Sequence, residues 1–597
     1  MHLHIIDLSI IGSYLLLTLL IGVFISKRAS KNINSYFLSG NKIPWYVLGV
    51  SNASSMFDIT HIIWLVSFFV VYGMKSMWIP WLWPVFNQIF LMIYLSSWIR
   101  KSNVLTGAEW IKTRFGNDKG SELSSLSVII FALVSVIGFI SYAFKGIGKF
   151  SVEFLPWNFS PDIYALIFMG ITTIYVIAGG MYSVVLTDVL QFIVLTIGSF
   201  IVGFIAIKNV SPEMILAVVP KGWESIFSGW HLNLDWSGLL ASANTKIAGD
   251  GYSLFYIFIM MMLFKGLLVS MAGAAPNYDM QRILATKSPK EASFMSGIVT
   301  LLLGFPRYFM VVGISILALV FFSPQFNAMG ANMDFERVLP FVINNYIPTG
   351  LTGLLIAGLI AAFMSTFDST VNAGAAYIVN DIYKKYIHKN GSDKNYVVAG
   401  YIASLIVVIA GIYLGFHLES IDEITQWLFA ALFTGYSIPN ILKWHWWRFN
   451  GYGYFWGMIG GIIGAIIIPN IFSSLTALQA FPFISIVSLI GCIAGTLLTK
   501  QQPMEELISF YKQVKPWGFW KPVYKEIQKE DPEFRRNMQS KRDLFNVVIG
   551  IIWQFSIMAL PAYIILRMGN EIMILLVIVA FTSFILKKNW YDKLENE

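Results

Sequence analysis

The sequence predicts an all-α protein that crosses a membrane many times, and three observations predict it. Of its 597 residues 56% are hydrophobic and only 12% are charged, a balance foreign to soluble globular chains of this length. The apolar residues fall into fifteen runs of bilayer-crossing length. Lysine and arginine gather in alternate loops between those runs, as they do in polytopic membrane proteins.

The runs lie at 6–26, 45–72, 78–98, 122–147, 162–180, 184–207, 252–275, 293–322, 351–383, 395–416, 424–443, 452–472, 479–499, 545–566 and 571–586. With the N-terminus outside, the loops and helix ends assigned to the inside hold 31 of the 41 lysines and arginines. That asymmetry predicts an N-terminus outside and a cytoplasmic C-terminus, and the expected location is the plasma (inner) membrane. The first run, Leu8 to Ile25, has no basic residue before it and no small-residue cleavage site after it. It reads as a transmembrane helix and not as a removed signal peptide. Cys492 is the single cysteine, so neither a disulfide framework nor a thiolate metal site is expected. The net charge of +8 is explained by the inside loops and does not suggest a nucleic-acid partner.

Two runs are interrupted alike. The second opens as WYVLGV, breaks at SNASS (51–55) and Asp58, and resumes as IIWLVSFFVV. The seventh, YIFIMMMLFKGLLVS, ends in the Gly- and Pro-weakened MAGAAPN (271–277). Breaks at matching places in two halves point to an inverted-repeat transporter with its site at the breaks. The expected organisation is a first helix and linker at 1–44, a five-helix repeat at 45–207 and an outer loop at 208–251. A second repeat at 252–443 follows, then two helices at 444–499, an inner loop at 500–544 and a C-terminal hairpin and tail at 545–597. The inner loop mixes aromatics with charge and reads as partly helical, lying against the membrane.

The chemistry concentrates in GLLIAGLIAAFMSTFDSTVNAGAAYIVNDIY, residues 353–383, which is apolar enough to span a bilayer yet polar at its centre. At 100° per residue, Ser365, Asp368, Ser369 and Asn372 share an arc of about 100°, with Thr366 at its edge. Such atoms need a partner or a wet cavity. Ala362, Ser365 and Thr366, at i, i+3 and i+4, can aim a carbonyl and two hydroxyls at one spot, which suits a small hard cation. Ser54, Phe57 and Asp58 repeat the spacing in the broken second run, where unwinding would free the carbonyls of Ser54 and Phe57. Asp58 adds a charge that needs a cation, a donor or water, and His61 lies one turn on. Asp188 sits one turn into the sixth run beside Thr187 and Gln191, where it could simply complement the helix dipole. Lys265, Asp279 and Arg307 are further charges at membrane depth or its boundary.

Five stretches resemble the sodium:solute symporter family, which includes sodium/glucose, proline, sialic acid and iodide transporters. They are YFLSGNKIPWYVLGVSNASS (36–55), LTGAEWIKTRFG (105–116), GGMYSVVLTDVLQF (179–192) with QRILATKSPKEA (281–292), and LIAAFMSTFDSTVNAGAAYIVNDIY (359–383). The resemblance covers roughly residues 6 to 500 and implies the LeuT-type fold, a 5+5 inverted-repeat helix bundle, here with extra N- and C-terminal helices. It places the principal sodium site on the carbonyls of Ser54, Phe57 and Ala362 and the hydroxyls of Ser365 and Thr366, with Asp188 near a further sodium. Asp58 and Asp368 stand where many members are neutral. The sugar transporters' glutamate in the third run is replaced by Trp81 in WIPWLWPVFNQ, and their lysine in the eighth is unmatched, with Arg307 a few residues on.

The sequence therefore leads to a secondary active symporter coupling sodium influx to uptake of a small organic solute, a sugar or sugar-like compound first. Asp58, His61, Trp81, Asn87 and Asp368 are the candidate solute contacts. The alternatives are proton coupling, an amino acid, carboxylate or cationic solute, or a transporter-like solute sensor. No enzymatic constellation is evident. The expected partners are sodium, the solute and the lipid bilayer, with no obligate protein partner.

Overall fold

A computed structural model describes residues 3–29, 31–82, 84–252, 254–330, 333–418, 433–472 and 475–594. Among these residues the secondary structure is helical, apart from one isolated bridge between Trp446 and Phe519. The first helix, α1 (Ile5–Ala29), is anchored by its own acid. Gly350, the N-cap of a later helix, has no side-chain oxygen, and Asp7 supplies one by accepting from the amides of Gly350 at 2.7 Å and Gly353 at 2.8 Å.

The second span is two helices, as its sequence suggests. α2 (Trp45–Met56) ends at Phe57, whose ψ of 58° is not helical, and α3 (Ile59–Tyr72) restarts with Asp58 as its N-cap. The third span is irregular. Pro80 and Pro84 each lack an amide donor, and regular helix resumes only at α4 (Asn87–Phe90), which passes through a π-helical turn at Leu91–Leu95 into α5 (Ser96–Lys101). A short α6 (Gly107–Phe115) leads into the long α7 (Lys119–Phe154).

α8 (Pro161–Asn209) has 49 residues. At 1.5 Å per residue it would run about 73 Å, far beyond a hydrocarbon core of about 30 Å. It therefore makes two crossings, folded at Gly180, where φ is +48° and an added Cβ would lie 2.6 Å from the Tyr36 carbonyl oxygen. After the short α9 (Ala241–Asp250), the seventh span repeats the interruption: α10 (Phe255–Met271) ends, Gly273 turns at φ +86°, and α11 (Tyr278–Ala285) begins after Asn277 caps it. Then come α12 (Pro289–Ala328), α13 (Leu351–Ala376), α14 (Asp393–His417) and α15 (Phe433–His445). α16 (Gly451–Ile471) and α17 (Ala477–Leu497) pair, α18 (Met504–Val514) and α19 (Lys521–Glu530) follow, and α20 (Ser540–Leu566) with α21 (Gly569–Asn589) closes the chain.

Eleven helices among the described residues, or twelve with a bent pair joined, are long and apolar enough to span a membrane, against fifteen apolar runs in the sequence. The fifth and sixth runs are the two arms of α8, joined at the Gly180 corner, the third is too irregular, and the seventh yields only 17 helical residues. The eleventh run, 424–443, falls partly on residues 419–432, outside the described ones.

Segments assigned to one side by their charge meet at one end. Arg114 of α6, fully buried, donates to the carbonyls of Lys443, Trp446 and Phe449 at 2.8, 3.2 and 3.0 Å and to Gln502 Oε1 at 3.0 Å. The rings of Phe115, Phe510 and Trp520 enclose its guanidinium. At the other end the loop 208–251 closes over α3. Its Trp223 and Trp236 indoles donate to the carbonyls of Val70 (3.0 Å) and Val71 (3.1 Å), near the end of α3.

Gly180→Ala is expected to lower the thermal midpoint of the purified protein by several degrees, through positive φ and the clash with Tyr36. Gly170→Ala in the same helix, where an added Cβ meets nothing within 4 Å, is the control and leaves the midpoint unchanged or slightly raised. Equal effects in a melting assay would contradict the two-crossing corner.

Candidate functional site

The site is built where α2 stops. The last four carbonyls of a helix lack intrahelical amides, so the end of α2 presents oxygen to its neighbours. The Ser54 carbonyl is taken by the Phe57 amide at 3.0 Å, and the Ser55 carbonyl accepts the Thr366 hydroxyl at 2.8 Å. Thr366 also lies 3.2 Å from the Ala362 carbonyl, and Ser365 is bonded to a carboxylate oxygen of Asp188. Ser54, Phe57, Ala362, Ser365, Thr366 and Asp188 are all buried. Thus α13 lies against the broken helix, and α8 brings its aspartate to the same place.

At the centre is an ion pair. Arg282 of α11 donates to Asp188 at 2.8 Å, and the side chains are 1% and 0% exposed. The guanidinium also donates to Ser51 Oγ (2.9 Å), Ser55 Oγ (2.6 Å) and Ser369 Oγ (2.6 Å). Ser51 is itself bonded to Asp188. One arginine therefore draws together the first broken helix, the second, α8 and α13. A second clasp joins the two breaks directly. Asp279 of α11 accepts from Asn52 (2.8 Å), Gln88 (3.2 Å) and Asn87 (3.2 Å).

Asp368 belongs to this interior too. Its carboxylate accepts from Tyr175 at 2.8 Å and lies 3.2 Å from Ser369 Oγ and 3.4 Å from Thr187 Oγ1. Two buried carboxylates thus lie in one polar cluster: Asp188 pairs with Arg282, and Asp368 is linked to it through Ser369. Ionised together they leave one net negative charge, which an oxygen-lined cation could balance.

Beside the break lies a cavity of about 210 Å³. Asp58, His61, Asn87, Arg307 and Thr366 are on its wall, as are Gln88, Thr300, Tyr142, Tyr436 and Gln554. Asp58 is held in place by the Tyr142 hydroxyl and by the His61 amide, both at 3.1 Å, and His61 stacks on Trp64. Trp81 is placed elsewhere. Its ring meets Trp78, Phe86 and Phe555 at centroid distances of 4.7, 5.1 and 5.6 Å, and neither it nor Asp368 lies on the cavity wall.

Sequence reasoning missed the roles of Arg282 and Asp279. Arg282 lies in a short polar connector and reads there as one more loop cation. The usable signal was its place shortly after the second break, opposite serines spaced 51, 55 at the first.

Asp188→Asn alone leaves Arg282 buried without its counter-charge. It is expected to destabilise the protein by about 3–5 kcal/mol, while the double change with Arg282→Gln recovers much of that loss. Thermal melting of the two purified variants checks this; an equally unstable double variant would contradict the pairing.

The sodium:solute symporter family model matches residues 36–461 of this chain. The sodium/glucose cotransporter 4 of Danio rerio is 26% identical over 490 residues, covering 77% of this chain and 71% of that protein. The Homo sapiens sodium/myo-inositol cotransporter is 25% identical over 508 residues, 77% of this chain, which spans 66% of the human protein. Among solved structures, a substrate-bound, outward-open Na+-coupled sialic acid symporter aligns with a TM-score of 0.61. Its identity is 20%, over 83% of this chain and 99% of that one, so the likeness is one of fold.

Proposed function

Since the chain belongs to the sodium:solute symporter family, multi-pass membrane transporters and not enzymes, we propose that it couples sodium entry to uptake of a sugar-like, polyhydroxylated solute bound in the cavity beside the first break. One observation carries the choice of solute. Asn87 Oδ1, Gln88 Oε1, Thr300 Oγ1, Arg307 Nε and Gln554 Oε1 are buried on residues of that wall, and none has a hydrogen-bond partner within the protein. Buried polar atoms are costly when unpaired. Each hydroxyl of a polyol both donates and accepts, so one such molecule can serve acceptors and the arginine together. Asp58 adds an anchored acceptor on the same wall. The names of the relatives, glucose and myo-inositol cotransporters, support the same class.

The sodium path is assigned to the end of α2 and the facing turn of α13: the carbonyls of Ser54, Phe57 and Ala362 and the hydroxyls of Ser365 and Thr366. Asp188 and Asp368 supply negative charge close by. Thr366 belongs to both places, since it bonds the end of α2 and lies on the solute wall. That shared residue gives the two ligands a physical link. One sodium entering down about 100 mV releases roughly 2.3 kcal/mol, and a tenfold gradient adds about 1.4 kcal/mol. The sum supports roughly 500-fold accumulation per ion. The chain is placed in the plasma membrane with its N-terminus outside. The meeting of 100–119, 443–450 and the 500–539 segment at one end supports their lying on one and the same side.

Ser365→Ala combined with Thr366→Ala is expected to abolish sodium-dependent uptake of labelled glucose or myo-inositol in proteoliposomes, with folded protein still recovered from the membrane. Uptake with unchanged sodium dependence would place the cation elsewhere.

A further inference from the structure

The family match ends at residue 461, but the cavity wall does not. Gln554 and Met558, one turn apart on α20, line the same cavity as Asp58 and Arg307. Packing explains how so late a helix arrives there. Phe555 stacks on Trp78 at 4.7 Å and 28°, and Trp81 meets it edge-on. Gly304 of α12 leaves room for Met558, since an added Cβ there would lie 3.2 Å from Met558 Cγ. Gly550 does the same toward Ile89, where an added Cβ would lie 2.6 Å away.

The Gln554 amide is oriented. Its Nε2 donates to the Val85 carbonyl at 2.7 Å, in the non-helical stretch that follows Pro84. A carbonyl can be met only by the NH₂ end of the amide, so the other end is an acceptor in a fixed position. Gln554 is 6% exposed, and its Oε1 has no hydrogen-bond partner in the protein. A buried acceptor held in place by its own second hydrogen bond is built to receive a donor. We propose that Gln554 is a specificity-determining residue of the solute site: its Oε1 accepts a hydrogen bond from one hydroxyl of the bound solute, and Met558 packs beside it against an apolar face. This rests on the reading of the cavity as a site for a polyhydroxylated solute. It gives the C-terminal hairpin a part in recognition, from a helix outside the family-matched segment.

The test is a substitution crossed with a ligand change. Wild type is assayed in proteoliposomes with labelled glucose and myo-inositol, then with a series of analogues each lacking one hydroxyl. Gln554→Met keeps the length and removes the acceptor. It is expected to raise the half-saturating concentration at least tenfold without changing sodium activation. The one analogue that wild type binds poorly through loss of the donating hydroxyl should be no worse than its parent for Gln554→Met. Equal penalties for every analogue in both proteins would overturn the assignment. A binding readout covers a variant that folds but does not transport. The natural cysteine, Cys492, is buried, so Gln554→Cys offers a single reactive thiol. A small methanethiosulfonate should label it, and the transported sugar should protect it; labelling at the same rate with and without sugar would overturn the proposal. If wild type took up neither sugar, polyol nor analogue, the solute reading itself would fall and this inference with it. Normal uptake with an indifferent Gln554 would overturn the inference alone.

Discussion

A guanidinium buried inside a membrane protein is costly unless acceptors meet it, and Arg282 has four side chains supplying them: Asp188, Ser51, Ser55 and Ser369. Those residues come from three different helices, and the arginine from a fourth. The requirement to satisfy this one charge therefore fixes how the end of α2, the last turn of α11, the second crossing of α8 and the middle of α13 sit together. Asp279 adds a matching constraint from the same short helix, since Asn52, Asn87 and Gln88 converge on it. Both breaks in the bundle are thus tied by buried polar bonds. The cavity lies beside those ties and shares Asn87, Gln88 and Asp279 with them.

This arrangement explains why the helices are broken. A continuous helix satisfies its own carbonyls and offers nothing to a cation. Stopping α2 at Met56 releases oxygens, and α13 meets that of Ser55 with the Thr366 hydroxyl, while Ser365 beside it bonds Asp188. Thr366 touches the end of α2 and the cavity wall alike, so whatever binds at either place bears on the same turn of α13. Coupling in such a device needs no long relay, only two ligands that prefer the same packing of α13 against the break.

Much of this was legible in the residues. Polar side chains in an otherwise apolar span, Ser365 to Asn372, mark an interior face because hydrocarbon forbids the alternative, and the interrupted second and seventh spans announced themselves by Gly, Ser, Asn and Pro. The Gly179–Gly180 pair falls at the corner between two apolar runs, which the structure folds into the two arms of α8. What the sequence hid was pairing at long range. Arg282 meets Asp188 across 94 positions, and Gln554 meets Val85 across 469. No local period carries such information. Trp81 illustrates the converse: an aromatic residue in a cluster suggests a stacking platform, but the ring is packed among Trp78, Phe86 and Phe555 and off the cavity wall.

If the cation at the end of α2 and the solute in the adjoining cavity act through the same turn of α13, their affinities must be linked reciprocally. Equilibrium binding to the purified protein measures this directly: the dissociation constant of a labelled sugar with and without saturating sodium, and that of ²²Na+ with and without saturating sugar. The account predicts that each ligand tightens the other by the same factor, about 5-fold to 150-fold for coupling of ordinary strength. Sodium binding that is indifferent to the sugar, with sugar binding indifferent to sodium, would contradict it.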